Sequence, residues 1–362
     1  MDVLPELGAS AQWYYSSFSA LDQYFGRDEQ RVLCVTVEGD IVTLARAVPQ
    51  LEFPGVPHAD AAVWDDGRRI YFRCIEPEAK PRPKAFRPLN LLYDPARDRY
   101  LDPYDDYRAL RSEGLERTDE PIDPAHRIMD AAIAISRYAY RLTEPLEALS
   151  RFPELAPETL RSLLTLVFTG PFPQEGLRLL DEHGFIDTYL PELTAMKGTS
   201  HSKEHHPEGD VWNHSLETFR YRRSHDLALT LGLLLHDAGK PLAVPRGGRR
   251  FDGHAEIGAK LAAKLLRRLH FAEELVEDVF WLVSKHMFPG AIHLLPTFRT
   301  ERLMADERFP VLLELYRCDL ESSYRGPDGY YRACKVYRDF IKHSANPYRS
   351  ADGKKLVRLY VD

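Results

Sequence analysis

Six residues in the C-terminal half of this 362-residue chain, His214, His236, Asp237, His254, His286 and Asp319, have the types and settings of metal ligands. Imidazoles and carboxylates together suit divalent ions, and one carboxylate can bridge two of them. His214 falls in the first turn of a helix expected over DVWNHSLETF. His236 and Asp237 end the apolar run LALTLGLLL, with Gly239 and Pro241 as stop signals. A charged dyad there needs a partner, because an unpaired buried carboxylate is costly, and a bound cation supplies one. His254 precedes the amphipathic segment AEIGAKLAAKLLRRL, whose stripe is Ile257, Leu261, Leu265 and Leu269. His286 continues the stripe of Leu275, Val279 and Leu282, and Asp319 follows Leu312 and Leu315 at helical spacing.

Each of these residues has a plainer reading when taken singly. His286 alone reads as a core histidine, Asp319 as a buried carboxylate paired with Arg317 or Lys335, and His254 as a solvated loop residue. His225 and His270 are assigned to the surface, and His205 and His206 are left open. The joint order H…HD…H…H…D on expected helices points instead to a site for one or two divalent ions (Mn, Fe, Ni, Co, Zn or Mg). With two ions, Asp237 bridges, His214, His236 and Asp319 complete one position, and His254 and His286 the other. With one ion, the set is His214, His236, Asp237 and Asp319.

The elements that must hold these residues are helical. From about residue 122 onward, DPAHRIMDAAIAISRYAYRL, PETLRSLLTLVF and QEGLRLLDEHG repeat apolar residues near every 3.6 positions, and Gly184 is a natural helix stop. Before about residue 115 the chain reads as mixed α/β. RVLCVTVEGDIVTLA has strand-like content on both sides of Glu38-Gly39-Asp40, and AAVWDDGRRIYFRCIE reads as a hairpin turning at Asp65-Asp66-Gly67. LYDPARDRYLDPYDD gives two short strands, and EPEAKPRPKAFRP is too proline-rich for helix. The segment after about Ser344 reads as a polar tail.

Bulk properties narrow the class. A net charge of −7 argues against coating nucleic acid by bulk electrostatics, while leaving room for a local basic surface. Lys80-Pro81-Arg82-Pro83-Lys84 and Arg220-Tyr221-Arg222-Arg223 are mild basic clusters of that kind. No apolar run reaches 18 residues and the start MDVLPELGASAQWYY lacks a signal-peptide pattern, so a cytoplasmic protein without a membrane segment is expected. Four cysteines without CxxC spacing fit free thiols in a reducing compartment.

The stretches HHPEGDVWNHSLE, LLLHDAGKP, FDGHAEIGAKLAAKLLRRLHF and VSKHMF resemble the HD-superfamily metal phosphohydrolases. More closely, they are similar to the HD domain appended to bacterial tRNA nucleotidyltransferases and poly(A) polymerases. The likeness extends upstream through RSLLTLVFTGPFPQEGLRLLDEHGFIDTYLPEL, a helical neck. The resemblance implies an α+β protein with a nucleotidyltransferase-like head at 1–118, an all-α neck at 119–195, an all-α HD domain at 196–345 and a tail at 346–362.

The head looks degenerate against that family's Gly-Gly turn with Arg-Asp and its paired Asp-x-Asp. EGDIVTLA is the nearest match to the turn, and in PHADAAVW Asp60 has alanine two positions on. The family's Arg-Arg-Asp-Phe-Thr-Ile-Asn segment corresponds to Pro83-Lys84-Ala85-Phe86-Arg87-Pro88-Leu89-Asn90, and Asp130 and Ile133 stand where arginines are expected. Two-metal phosphoryl transfer needs converging carboxylates, which a lone Asp60 does not provide.

The reading that follows is a metal-dependent phosphohydrolase acting on a nucleotide or RNA 3′-end phosphoester, with tRNA as a possible partner. Asp237 and Lys240 are its catalytic pair, and Lys240, Arg246, Arg249 and Arg250 are its phosphate contacts. A template-independent nucleotidyltransferase and a non-catalytic RNA- or nucleotide-binding protein are the alternatives.

Overall fold

A computed structural model describes residues 3–56, 59–149, 151–200, 209–244, 251–323 and 326–343. The chain forms two compact units, Met1–Phe185 and Ile186–Asp362. The first is a sheet with flanking helices that continues into helices and a short parallel strand pair, Gly114–Leu115 with Arg141–Leu142, and the second is all-α, so the α+β class holds.

In the first unit, strands β1 (Trp13–Ser16), β2 (Val32–Glu38), β3 (Ala61–Asp65), β4 (Arg68–Ile75), β5 (Leu92–Asp94) and β6 (Arg99–Leu101) form one sheet in the order β3-β4-β2-β1-β5-β6. Only β2 and β4 pair in parallel within it. Central β2, VLCVTVE, is buried on both faces, which explains why its apolar run does not alternate. Leu33, Val35 and Val37 pack with Val3, Leu4 and Leu7 of α1 (Val3–Gly8) and Leu44 of α3 (Ile41–Ala47). The opposite face receives α2 (Ser17–Phe25). The β3–β4 hairpin closes as expected, with Asp66 and Gly67 at φ 47° and 76°, the positive pair that a two-residue turn requires.

One expected strand is a helix instead. Residues 41–47 form α3 because Asp40 accepts from the Thr43 amide at 2.7 Å and from the Thr43 hydroxyl at 2.7 Å, capping its first turn. Such a cap outweighs the β-branched content of Ile41, Val42 and Thr43.

Helices α4 (Pro124–Tyr138), α5 (Pro157–Phe168) and α6 (Pro173–Glu182) complete the unit. Each begins on proline at its first position, where the missing N–H removes no hydrogen bond. Gly176 lets α6 lie against α4. A Cβ there would sit 2.0 Å from Ser136 Oγ and 2.5 Å from Ala132 O. Gly176→Ala is therefore expected to destabilise the protein by about 1–3 kcal/mol through overpacking, read as a lower urea midpoint. An unchanged midpoint would show that the two helices part freely.

After the short helices α7 (Phe185–Tyr189) and α8 (Pro191–Thr194), the second unit contains α9 (Val211–Thr218), α10 (Leu227–Leu235), α11 (His254–Arg268) and α12 (Glu273–Lys285). It continues with α13 (Phe288–Ala291), α14 (Thr297–Met304), α15 (Phe309–Glu321) and α16 (Asp328–His343). Central α10 is buried nearly throughout, packed by α9, α12 and α15. The inner face of α11 differs from the expected leucine stripe. Ala255, Gly258, Ala259, Ala262, Leu265 and Leu266 are buried, whereas Ile257 and Leu261 are half-buried. At position 258 the backbone of Gly239 approaches too closely for a larger residue. Among the described residues, no helix is long and apolar enough to cross a membrane.

Candidate functional site

Helix ends bring the six expected ligands together in the second unit. Asp210 caps α9 by accepting from the Asn213 amide at 2.8 Å, and His214 follows one residue later, fully buried. His236 and Asp237 come directly after α10, His254 opens α11, His286 follows α12, and α15 carries Asp319. His236, Asp237 and His286 are buried to within 2% of full coverage.

Three of the histidines are fixed in the same way. The Nδ1 of His236, His254 and His286 lies 2.8, 2.8 and 2.7 Å from the carbonyls of Leu233, Phe251 and Val283, in each case three residues earlier. A carbonyl only accepts, so Nδ1 carries the proton and each Nε2 presents a lone pair to the cluster. His254 Nε2 and His286 Nε2 lie 3.2 Å apart, two acceptors facing each other. His236 Nε2 is buried without a hydrogen-bond partner. Orphaned acceptors gathered round a carboxylate are the donor set of a cation site, oriented by backbone carbonyls behind them.

Asp237 sits at the centre. Its oxygens are 3.3 Å from His236 Nε2, 3.9 Å from His214 Nε2, 3.5 Å from His254 Nε2 and 3.8 Å from His286 Nε2. Two ligand-capable groups result, His214–His236–Asp237 and Asp237–His254–His286, sharing Asp237. Asp319 Oδ1 joins the first, 3.0 Å from His214 Nε2 and 3.8 Å from His236 Nε2. Its partner is thus His214; Arg317 is engaged with Glu314 instead.

Burial would push the Asp237 carboxyl up, but the Lys240 ammonium and the His236 and His214 rings outweigh it and hold it well below the usual range. Burial raises Asp319 too, and the hydrogen bond with His214 leads the opposing effects that leave it lowered. Burial, then neighbouring His236, lowers His286 to about 4 from an ordinary 6.5. The unfolded chain therefore binds more protons than the fold between these two values. The metal-free protein is expected to lose stability as pH falls from 6.5 toward 4, measurable as a falling melting temperature, with the His286→Gln variant showing a shallower fall.

Lys240 donates to Asp237 Oδ2 and lies over the Phe251 ring, its nitrogen 5.5 Å from the centroid. Arg246, Arg249 and Arg250, expected beside it, lie outside the described residues, as do His205, His206 and the tail. Sequence reasoning missed Gly239 as a close-contact position. A Cβ there would meet His254 O at 2.1 Å and the Gly258 amide nitrogen at 2.5 Å, both backbone atoms. Gly239→Ala is expected to push the turn off α11 and weaken metal affinity by about 10–100-fold, as loss of a supporting interaction does. Chelator competition measures it, and unchanged affinity would refute it.

Among the described residues, the head offers no second cluster of this kind. Asp60 is spent on the Arg73 guanidinium at 3.1 Å and the Cys74 amide at 2.8 Å. Two strand–turn–helix units occur in the head, β1–α2, where Ser17 opens the helix at φ 51°, and β2–α3, which contains EGDIVTLA. Beside β1–α2, Ser17, Cys34, Tyr71, Lys84 and Asp130 help line a small cavity of about 20 Å³. That is room for roughly one water. The β2 residues in its lining, Val32 and Cys34, carry no carboxylate. Asp130 does, and burial pushes it up to about 7 against the pull of Lys84.

Residues 211–319 match the HD domain family. The chain is 38% identical over 162 residues to the CC-adding tRNA nucleotidyltransferase of Thermus thermophilus, 42% of this chain and 36% of that protein. It is 34% identical over 187 residues to the A-adding tRNA nucleotidyltransferase of Deinococcus radiodurans, 49% of this chain and 42% of that one. A multifunctional CCA protein of Halorhodospira halophila is 28% identical over 286 residues, 74% of this chain and 69% of its own. The chain thus spans well under half of the first two relatives. The fold is shared with the Bacillus stearothermophilus CCA-adding enzyme solved with CTP, at TM-score 0.53 and 15% identity, over 94% of this chain and 80% of that one.

These relatives correct the functional expectation drawn from sequence. Two of them are CC-adding and A-adding tRNA nucleotidyltransferases, so the reading as an HD-type phosphohydrolase acting on a phosphoester is overturned. An HD motif identifies a metal-ligand set and leaves the reaction open. Residues 211–319 thus carry an HD domain, and the chain shares the fold of a CCA-adding enzyme.

Proposed function

We propose that this chain works at the 3′ end of tRNA as a nucleotidyltransferase-type enzyme in the cytoplasm, with a head at 1–118, a neck at 119–195 and an HD domain at 196–345. The supporting observation is the extent of the similarity. It runs over 286 residues of a multifunctional CCA protein, whereas the HD family match covers only 211–319, so the likeness is not confined to the HD domain.

Within this proposal the HD cluster holds divalent metal. His214, His236 and Asp319 complete one position with Asp237, and His254 and His286 the other. The orphaned His236 Nε2 and the facing Nε2 atoms of His254 and His286 support it. Bound ions would supply positive charge to which phosphate groups are drawn. Lys240, already held on Asp237, is proposed as a phosphate contact beside them rather than as a catalytic group. Arg246, Arg249 and Arg250 are proposed for the same role from sequence alone.

One observation favours a second reading, in which the chain holds tRNA without extending it. Asp60 is consumed by Arg73 and Cys74, and the cavity lined by Ser17, Lys84 and Asp130 is the size of a water molecule. A single experiment separates the two. Labelled CTP and ATP are offered with magnesium or manganese and a tRNA lacking its terminal CCA, while tRNA binding is followed in parallel. Incorporation establishes transfer. Binding without incorporation selects the second reading, and the absence of both overturns the proposal.

A further inference from the structure

Helix α15 carries a buried ion pair, Glu314 with Arg317, on the helix that supplies Asp319. Arg317 Nε donates to Glu314 Oε2 at 2.7 Å and Nη2 donates to Oε1 at 2.6 Å. Taking two charges out of water costs free energy that an apolar pair of similar volume avoids. The remaining bonds of the pair show what it holds. Glu314 Oε1 accepts from the Arg223 backbone amide at 3.0 Å, and Arg317 Nη2 donates to the Tyr221 carbonyl. Between those two anchors Arg222, also buried, donates to the Thr230 hydroxyl on α10. Residues 221–223 are therefore fastened to α15 through their backbone and to α10 through a side chain.

This segment follows α9 by way of the single turn Phe219–Tyr221, so it fixes the end of the helix that carries His214. The three helices joined here, α9, α10 and α15, are the ones that bring His214, His236, Asp237 and Asp319 together. His254 and His286 come with α11 and α12, which none of these bonds reaches. The ligands also differ in how they are held. His236, His254 and His286 stand at helix ends and are each oriented by a carbonyl three residues earlier. His214 and Asp319 lie within helices, and their 3.0 Å contact spans α9 and α15. That separation depends on how the two helices lie against each other. A bidentate charge pair with backbone anchors fixes such a relation more narrowly than apolar packing, because its hydrogen bonds are directional.

We infer that Glu314 and Arg317 are positioning residues for the first metal position, holding His214 and Asp319 together as its ligands. This rests on the reading above that the HD cluster holds divalent metal. The test titrates cobalt(II) into the full-length protein in two backgrounds, His254→Ala, which leaves the first position, and Asp319→Ala, which leaves the second. Adding Glu314→Met/Arg317→Met should weaken cobalt about 10-fold or more in the first background and leave it within about 2-fold in the second. The double change removes both charges at similar volume, so no buried charge is left alone. Glu314→Gln, which keeps the shape and drops the charge, should act in the same direction by less, and it carries the test where the double variant does not fold. A general loss of stability would lower the melting temperature without telling the two backgrounds apart. No cobalt uptake by the wild type would sink the metal reading and this inference together. Wild-type uptake with equal weakening in both backgrounds, with unchanged affinity in the first, or with no uptake in either background would overturn this inference alone.

Discussion

Asp237→Ala is expected to remove bound divalent metal from both positions of the HD cluster at once. Asp237 is the member common to the two ligand groups, so its loss leaves only His254 and His286 in one and His214, His236 and the neighbouring Asp319, without the bridging carboxylate, in the other. His214→Ala removes a member of the first group only, and His254→Ala of the second only. The expected pattern is therefore asymmetric: near-complete loss for Asp237→Ala, partial retention for either histidine variant. Elemental analysis of dialysed protein measures it. Retention of the full wild-type complement by Asp237→Ala would show that the shared carboxylate holds no ion. The variant also takes from the Lys240 ammonium its Asp237 partner, so the melting temperature is read alongside metal content.

The second large effect is expected in the first unit, at Arg137. Its guanidinium is bidentate on Asp22, at 3.0 and 2.7 Å, and also donates to the Leu166 carbonyl and the Thr169 hydroxyl. Tyr138 adds a 2.8 Å hydrogen bond to the same carboxylate. Arginine and aspartate are both buried, so α2, α4 and α5 are tied through one charge pair. Arg137→Ala leaves that carboxylate uncompensated and should destabilise the protein by about 3–5 kcal/mol. Arg137→Met/Asp22→Leu, which removes both charges and keeps volume, should recover most of the loss. Denaturant unfolding decides between them, and equal stability of the single variant and the wild type would refute the argument.

The parts of this molecule legible in sequence were those governed by short-range periodicity. Helices from α4 onward, the β3–β4 hairpin and the β5–β6 pair follow from spacing and turn chemistry. The six residues of the cluster were also readable, because each stands at a helix end or on an apolar face. Two kinds of information were not. Capping by Asp40 decided α3 against its strand-like composition. The inner face of α11 depended on Gly239, which lies 19 residues before Gly258 and touches it only after folding. The reaction was less legible still. A ligand set specifies which ions fit, while the substrate is selected by surfaces that no local pattern encodes.

If the cluster holds metal as proposed, the facing lone pairs of His254 and His286 would also tie the protein's persistence to metal supply. With both Nδ1 protons committed to backbone carbonyls, the two Nε2 atoms repel each other until a cation separates them. Any ion that enters the folded form and not the unfolded chain favours folding by mass action, by about 2.7 kcal/mol at 100-fold saturation. Chelation would then act as a denaturant for this unit, and the amount of intact protein in a metal-starved cell would fall before any change in its synthesis.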